Sequence, residues 1–246
     1  SALCSFPVVV RPPPRLVGPR LLAFGDSITF GVDSPPVPMA APSFAYPEQL
    51  RLRLAERYRL QTPQVINAGE PGEEAQNGGR LRFDDELRRN SPDIVLLMEG
   101  TNDLLSKEVG VERGTQALRD MVREAKARNV RVLLSTILPQ RMNGARVPPR
   151  NEFAVLVPPF NDGVRAVALA ENVPLVDMFA VFNADMSLIG LDDVHPTQRG
   201  FQVMADTFFE AIKMHFEVPP PADLAELLAA LRVIGGQDGR CDVDKG

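Results

Sequence analysis

Leu21-Leu22-Ala23-Phe24-Gly25-Asp26-Ser27-Ile28-Thr29-Phe30-Gly31 reads as a buried strand that ends in a turn and presents a hydroxyl. Its four apolar residues do not alternate with polar ones, the pattern of a parallel strand covered on both faces. A glycine, an acid and a serine follow at once. Open α/β sheets bind their ligands at the carboxyl ends of such strands. A serine hydroxyl there is a weak nucleophile until a base takes its proton. By itself Ser27 reads as a helix N-cap, a common role at a strand-to-helix turn. The rest of the chain decides between the two.

Outward from this stretch, further apolar runs read as buried strands: Val65–Asn67, Ile94–Met98, Val130–Leu138 and Pro174–Met178. Helical patterns lie between them, over Tyr46–Tyr58, Val111–Arg128, Asn151–Glu171 and Gln198–Phe216. In the first of these, Leu50, Leu54 and Tyr58 share one face at i, i+4 spacing. Strands alternating with helices imply right-handed crossovers and a parallel sheet covered on both sides.

The chain has two histidines. One stands in Leu191-Asp192-Asp193-Val194-His195-Pro196, where an acid three residues earlier can orient it. Pro196 keeps the backbone non-helical there, so His195 falls on a loop just ahead of a helix starting near Thr197. The other, His215, has no acid three residues before it and reads as a surface residue near a helix C-terminus. Asp192 and Asp193 both neighbour His195, and adjacency alone does not choose between them.

Four blocks stand in order: Gly25 to Gly31, then Asn67-Ala68-Gly69-Glu70-Pro71-Gly72, then Gly100-Thr101-Asn102-Asp103, then Asp192 to Pro196. Three directly follow apolar runs. With these blocks, from about Arg20 to Phe216, the chain resembles the SGNH (GDSL) hydrolase family of esterases and lipases. The resemblance implies a three-layer α/β/α fold with a flavodoxin-like, parallel, five-stranded sheet. It implies Ser27 as nucleophile, His195 as general base and Asp192, the first acid of an Asp-x-x-His pattern, as the orienting group. It implies an oxyanion hole made by the Ser27 and Gly69 backbone N–H groups and the Asn102 side-chain amide. It implies no metal or organic cofactor. Ester hydrolysis through an acyl-enzyme is the expected reaction, on short to medium acyl chains. An acyltransferase on the same scaffold, or a non-catalytic carbohydrate- or ligand-binding module, is the alternative. The Gly-x-Ser-x-Gly elbow of α/β-hydrolases does not occur at Ser27. Asp26 and Asp103 read as loop-holding acids, Asp193 as a solvated loop acid or an Asx-turn residue, and Glu70 as pointing outward.

The remaining features bound the partners. A net charge of −5 argues against a nucleic-acid surface, and no uninterrupted apolar run approaches the ~20 residues of a membrane span. A small-molecule ester is the expected partner; nothing in the sequence reads out an oligomeric state. Residues 1–19 are proline-rich and read as an extended segment, 20–218 as the hydrolase domain, and 219–246 as a proline-rich linker, a short helix over Ala222–Ile234 and a polar tail. Cys4 and Cys241 read either as a disulfide joining the termini or as two free thiols. These termini suit a secreted or periplasmic protein trimmed of its signal, with a cytoplasmic enzyme as the alternative. Two loops should shape the pocket: Val32–Ala45, with Met39 and Phe44 among its prolines, and Pro139–Asn151. The second carries Arg141, Arg146 and Arg150, which read as a solvated basic loop or as a lure for an anionic substrate.

Overall fold

The computed structural model describes residues 13–34, 39–40, 43–105, 109–144 and 151–218. Five parallel strands form its sheet: β1 Arg20–Gly25, β2 Gln64–Gly69, β3 Ile94–Met98, β4 Arg131–Ser135 and β5 Leu175–Val176. Their spatial order is β2-β1-β3-β4-β5. Gly25 lies opposite both Gly69 of β2 and Met98 of β3, so those three strands end level with one another. The chain reverses direction of travel across the sheet between β1 and β3, and this is where an open α/β sheet forms its crevice.

Side chains of each strand alternate between two cores, as the pleat requires. Leu21, Ala23, Ile94, Leu96 and Leu133 face one way, towards the helices α2 (Tyr46–Arg57) and α7 (Gln198–Phe216). Leu22, Phe24, Val95, Leu97, Val132 and Leu134 face the other, towards α3 (Arg80–Asn90), α4 (Gly110–Ala127) and α5 (Val157–Glu171). The molecule thus has the expected three layers. Residues Leu21 to Phe24 are wholly inaccessible. Burying each large apolar side chain contributes about 1.5–3 kcal/mol, against about 1 kcal/mol net for a hydrogen bond. The strand that leads to Ser27 is therefore firmly held by its burial.

Two further short helices are α1, Ser27–Phe30, and α6, Met178–Ala184. Neither they nor α3 stood out in the sequence. The α3 segment has Phe83 and Leu87 as its buried residues, too sparse an apolar face to announce itself. The expected single helix over 151–171 is two pieces, Asn151–Ala154 and α5. Pro158 and Pro159 lack the N–H groups an uninterrupted helix would use, and proline is tolerated only in a first turn. By length and apolarity Glu152–Glu171 could cross a membrane. Its apolar side, with Val157, Phe160, Val164 and Val167, is buried in the core instead.

Arg15–Leu16 pairs antiparallel with Glu217–Val218, and Val32–Asp33 with Met39–Ala40. Cys4, Cys241, the 222–234 helix, Arg146 and Arg150 lie outside the described residues.

Candidate active site

Ser27 opens α1 directly after β1. Asp26 is the N-cap: its Oδ1 accepts the Ile28 N–H at 2.9 Å. The Asp26 carboxyl is fully buried, and burial pushes its pKa up while the Ile28 N–H and Thr101 hydroxyl oppose that. The acid holds the turn, as its position in the sequence implied.

Ser27 Oγ lies 2.8 Å from His195 Nε2, across 168 positions of chain. The other ring nitrogen, Nδ1, meets Asp192 Oδ2. Asp192 Oδ1 accepts the backbone N–H groups of His195 at 2.9 Å and Val194 at 3.1 Å. Burial raises the Asp192 pKa, but the hydrogen bonds and charge of the His195 imidazole and the His195 N–H outweigh it. The carboxyl is held well below the usual carboxylate range. Of the two acids left open on adjacency, Asp192 is the one whose carboxylate meets the imidazole. The serine, the imidazole and the acid form one hydrogen-bonded line, in which the imidazole can take the serine proton while a fixed anion balances the resulting charge.

The loop bearing His195 has no regular structure, and it is pinned at several points. Gly190 N–H donates to His195 C=O, and Thr197 N–H to Leu188 C=O, both at 2.8 Å. Ser34 Oγ accepts the Asp192 N–H at 2.8 Å. Thr197 then caps α7, its Oγ1 accepting from Gly200 N–H. Arg141, arriving from the loop after β4, donates to Gly190 C=O at 2.6 Å, Met186 C=O at 2.7 Å and Ile189 C=O at 2.5 Å. Neither expectation for Arg141 fits this. Its guanidinium is engaged within the protein, by backbone carbonyls of the histidine loop and the residues before it.

Asp193 also departs from expectation. It is 1 % exposed, with its carboxylate 3.6 Å from the Arg141 guanidinium. Its backbone is left-handed (φ 69°), and its C=O accepts the Arg141 N–H at 3.2 Å. A solvated acid is thus replaced by a buried partner of the arginine. Nothing local in Asp-Asp-Val-His signals this, because the arginine is 52 positions away.

On the other side of Ser27 stand the expected oxyanion donors. Ser27 N–H carries no bond among the described residues. Gly69 lies against α1 so closely that a Cβ would come 2.1 Å from Phe30 N, which explains why glycine is required. Its N–H donates to Asn67 Oδ1 at 2.9 Å, and Asn67 Nδ2 donates to Phe30 C=O at 3.1 Å. Asn102 uses one amide hydrogen on Glu73 C=O at 2.8 Å and has a second. Two of the three expected donors are therefore engaged within the protein. Glu70 is exposed, as expected. Asp103 holds the loop after β2, accepting Ala75 N–H at 2.7 Å and Gln76 N–H at 3.2 Å.

The sequence reading missed Arg82, Glu73 and Glu99, which crowd the same strand ends. Glu99 carried a signal: an acid directly after the apolar run of β3 sits where a buried parallel strand ends. Among the described residues no group of His, Cys, Asp and Glu has the arrangement of a metal site.

The sequence model of the GDSL-like lipase/acylhydrolase family matches residues 23–203. A multidomain esterase of Ruminococcus flavefaciens is 31% identical over 133 residues, covering 52% of this chain and 16% of that protein. An acetylxylan esterase of Xylanibacter ruminicola is 26% identical over 227 residues, covering 82% of this chain and 45% of its own length. The chain thus spans less than half the length of these two relatives. Among solved structures, a lipase/acylhydrolase from Enterococcus faecalis superposes with a TM-score of 0.67 at 24% identity, over 82% of this chain and 98% of that one. A catalytic mutant of an acetylxylan esterase from Geobacillus stearothermophilus gives 0.65 at 24% identity, over 79% and 94%. At these identities the two structures establish the shared fold.

Proposed function

The chain belongs to the GDSL-like lipase/acylhydrolase family, and on that premise we propose that it is a serine esterase cleaving small acyl groups from carboxylic esters. The observation that carries this reading is the 2.8 Å contact between Ser27 Oγ and His195 Nε2, with Asp192 on the far ring nitrogen. Ser27 attacks the ester carbonyl while His195 takes its proton. The imidazolium is stabilised by Asp192, whose low pKa keeps it anionic throughout. The developing oxyanion is met by the unengaged Ser27 N–H, the second Asn102 hydrogen and the Gly69 N–H, which then shares its hydrogen between Asn67 and the substrate. His195 returns the proton to the leaving alkoxide, and water activated by the same imidazole releases the acyl group.

The name of one bacterial relative, an acetylxylan esterase, supports an acetyl group carried on carbohydrate as the substrate class. The test is hydrolysis of nitrophenyl acetate, butyrate, octanoate and dodecanoate by the wild type and by Ser27→Ala. We expect the acetate or butyrate to be preferred, and the mutant to lose at least about 10³-fold in kcat/KM. Equal rates in the two proteins would remove Ser27 as the nucleophile.

A further inference from the structure

Glu99 ends β3 with no exposed surface, and no donor reaches either of its carboxyl oxygens. A buried, unpaired carboxylate costs several kcal/mol. The group within hydrogen-bonding reach is itself a carboxyl, that of Glu73. Two carboxylates are both acceptors and cannot bond, so one of the pair must carry a proton. Arg82 decides which. Its Nε lies 2.8 Å from both Glu73 oxygens, and its Nη2 lies 2.6 Å from Oε2. Glu73 is thereby the anion, and the proton belongs to Glu99. Burial and the neighbouring Glu73 both push the Glu99 pKa well up, Asp26 at the end of β1 adds to this, and Arg82 opposes it. Glu86, on α3, faces Arg82 from the same helix. The packing is specific for this acid: a Cβ on Gly79 would stand 2.2 Å from Glu99 Oε2.

The same groups hold two of the expected oxyanion donors. Glu73 C=O accepts the Asn102 amide at 2.8 Å. Arg82 Nη2 donates to Ala68 C=O at 2.8 Å and to Gly25 C=O at 3.3 Å. Ala68 C=O and Gly69 N–H belong to one planar peptide group. A cation on that carbonyl fixes the direction of the N–H and strengthens it as a donor. Arg82 in turn lies over the Phe24 ring, 4.0 Å from its centroid, so the guanidinium has little freedom to swing.

We propose that Glu99, as a neutral carboxylic acid hydrogen-bonded to Glu73, completes a Glu99–Glu73–Arg82 unit that positions Asn102 and the Gly69 N–H for the oxyanion. The three are positioning residues and touch no substrate. The inference rests on the esterase reading above.

Two measurements test it on the full chain. In protein labelled with ¹³C at glutamate Cδ, one carboxyl resonance at pH 7 should show the protonated shift and vanish in Glu99→Gln. With nitrophenyl acetate, Glu99→Leu should lose about 10–100-fold in kcat with KM within about threefold, as removal of transition-state stabilisation requires. Glu99→Gln keeps an N–H donor towards Glu73 and should recover kcat to within about threefold of wild type. Should Glu99→Leu fail to fold, Arg82→Lys reads the same unit from a partly exposed position, with an expected loss of about 10-fold in kcat at similar KM. Absence of a protonated resonance at pH 7, or a wild-type kcat in both Glu99→Leu and Arg82→Lys, overturns the proposal. If the wild type itself leaves the ester intact, the esterase reading falls and the positioning role with it, while the carboxyl resonance still decides the shared proton.

Discussion

The serine and the histidine reach the same point by different means. Ser27 is carried there by β1, whose residues Leu21 to Phe24 are all inaccessible, and by the N-cap Asp26 immediately before it. Every determinant is local or is the sheet itself. His195 stands on a loop without regular structure, held by Arg141 from 54 positions upstream and by Ser34 from 161 upstream. An arginine serves each side, Arg82 binding carbonyls at the ends of β1 and β2 and Arg141 those of the histidine loop. The difference lies in what lies beneath. The serine side rests on the buried apolar area of the sheet, whereas the histidine side adds to its buried Leu188, Ile189 and Val194 a set of polar contacts from distant parts of the chain.

The largest expected effect breaks the histidine side without moving it. In Asp192→Asn the Oδ1 can still accept the Val194 and His195 N–H groups, but the amide now donates towards Nδ1 and forces the proton onto Nε2. Under the esterase reading, kcat should fall about 10³–10⁴-fold with little change in melting temperature. A loss below tenfold would mean that Asp192 orients the loop rather than the imidazole.

Next is a pH effect from the oxyanion side. Burial is the main cause pushing the Asp103 carboxyl up to about 6, partly offset by the N–H groups of Ala75 and Gln76. The unfolded carboxyl ionises near 3.9, so between about pH 4 and pH 6 the folded state binds more protons than the unfolded state. Stability therefore falls as pH rises through this window, by up to about 3 kcal/mol from this group. Chemical denaturation at pH 4, 5, 6 and 7 should show that decline, and Asp103→Asn, which keeps one acceptor oxygen, should flatten it. A mutant with the same slope as wild type would assign the decline elsewhere.

Arg141→Ala sharpens the contrast directly. It strips three carbonyls of their donor and takes the Arg141 guanidinium away from buried Asp193, and we expect a loss of about 10-fold in kcat, equivalent to about 1.4 kcal/mol. Arg141→Lys should restore only part, since a single ammonium cannot reproduce the fork. Unchanged kinetics in Arg141→Ala would show that the loop's backbone bonds suffice. The smallest effect is Thr197→Ala, which removes the α7 cap and should cost about 1 kcal/mol in denaturant unfolding, with kcat close to wild type.

The four motif blocks and the alternation of apolar runs with helical patterns made most of the architecture legible. β3 and α7 have the very limits that periodicity marked, and β1 and β2 differ by a residue or two at their ends. The failures share a cause. The break before α5 turns on where two prolines fall relative to a helix start, and α3 buries too narrow a face to register.

What the chain's own order determined is whatever a single segment can specify by itself: the strand that ends at Gly25, the turn that exposes Ser27, the acid three residues before His195. Periodicity, capping and short spacing act within a few residues, so they can be read directly. The burial of Asp193 against Arg141, the sharing of one proton between Glu73 and Glu99, and the engagement of Gly69 N–H by Asn67 were decided only by the tertiary structure. Each depends on which distant strand ends the fold brings level, and on the exclusion of water that follows. A charge that would be solvated anywhere along the isolated chain must find its partner once those ends have closed around it.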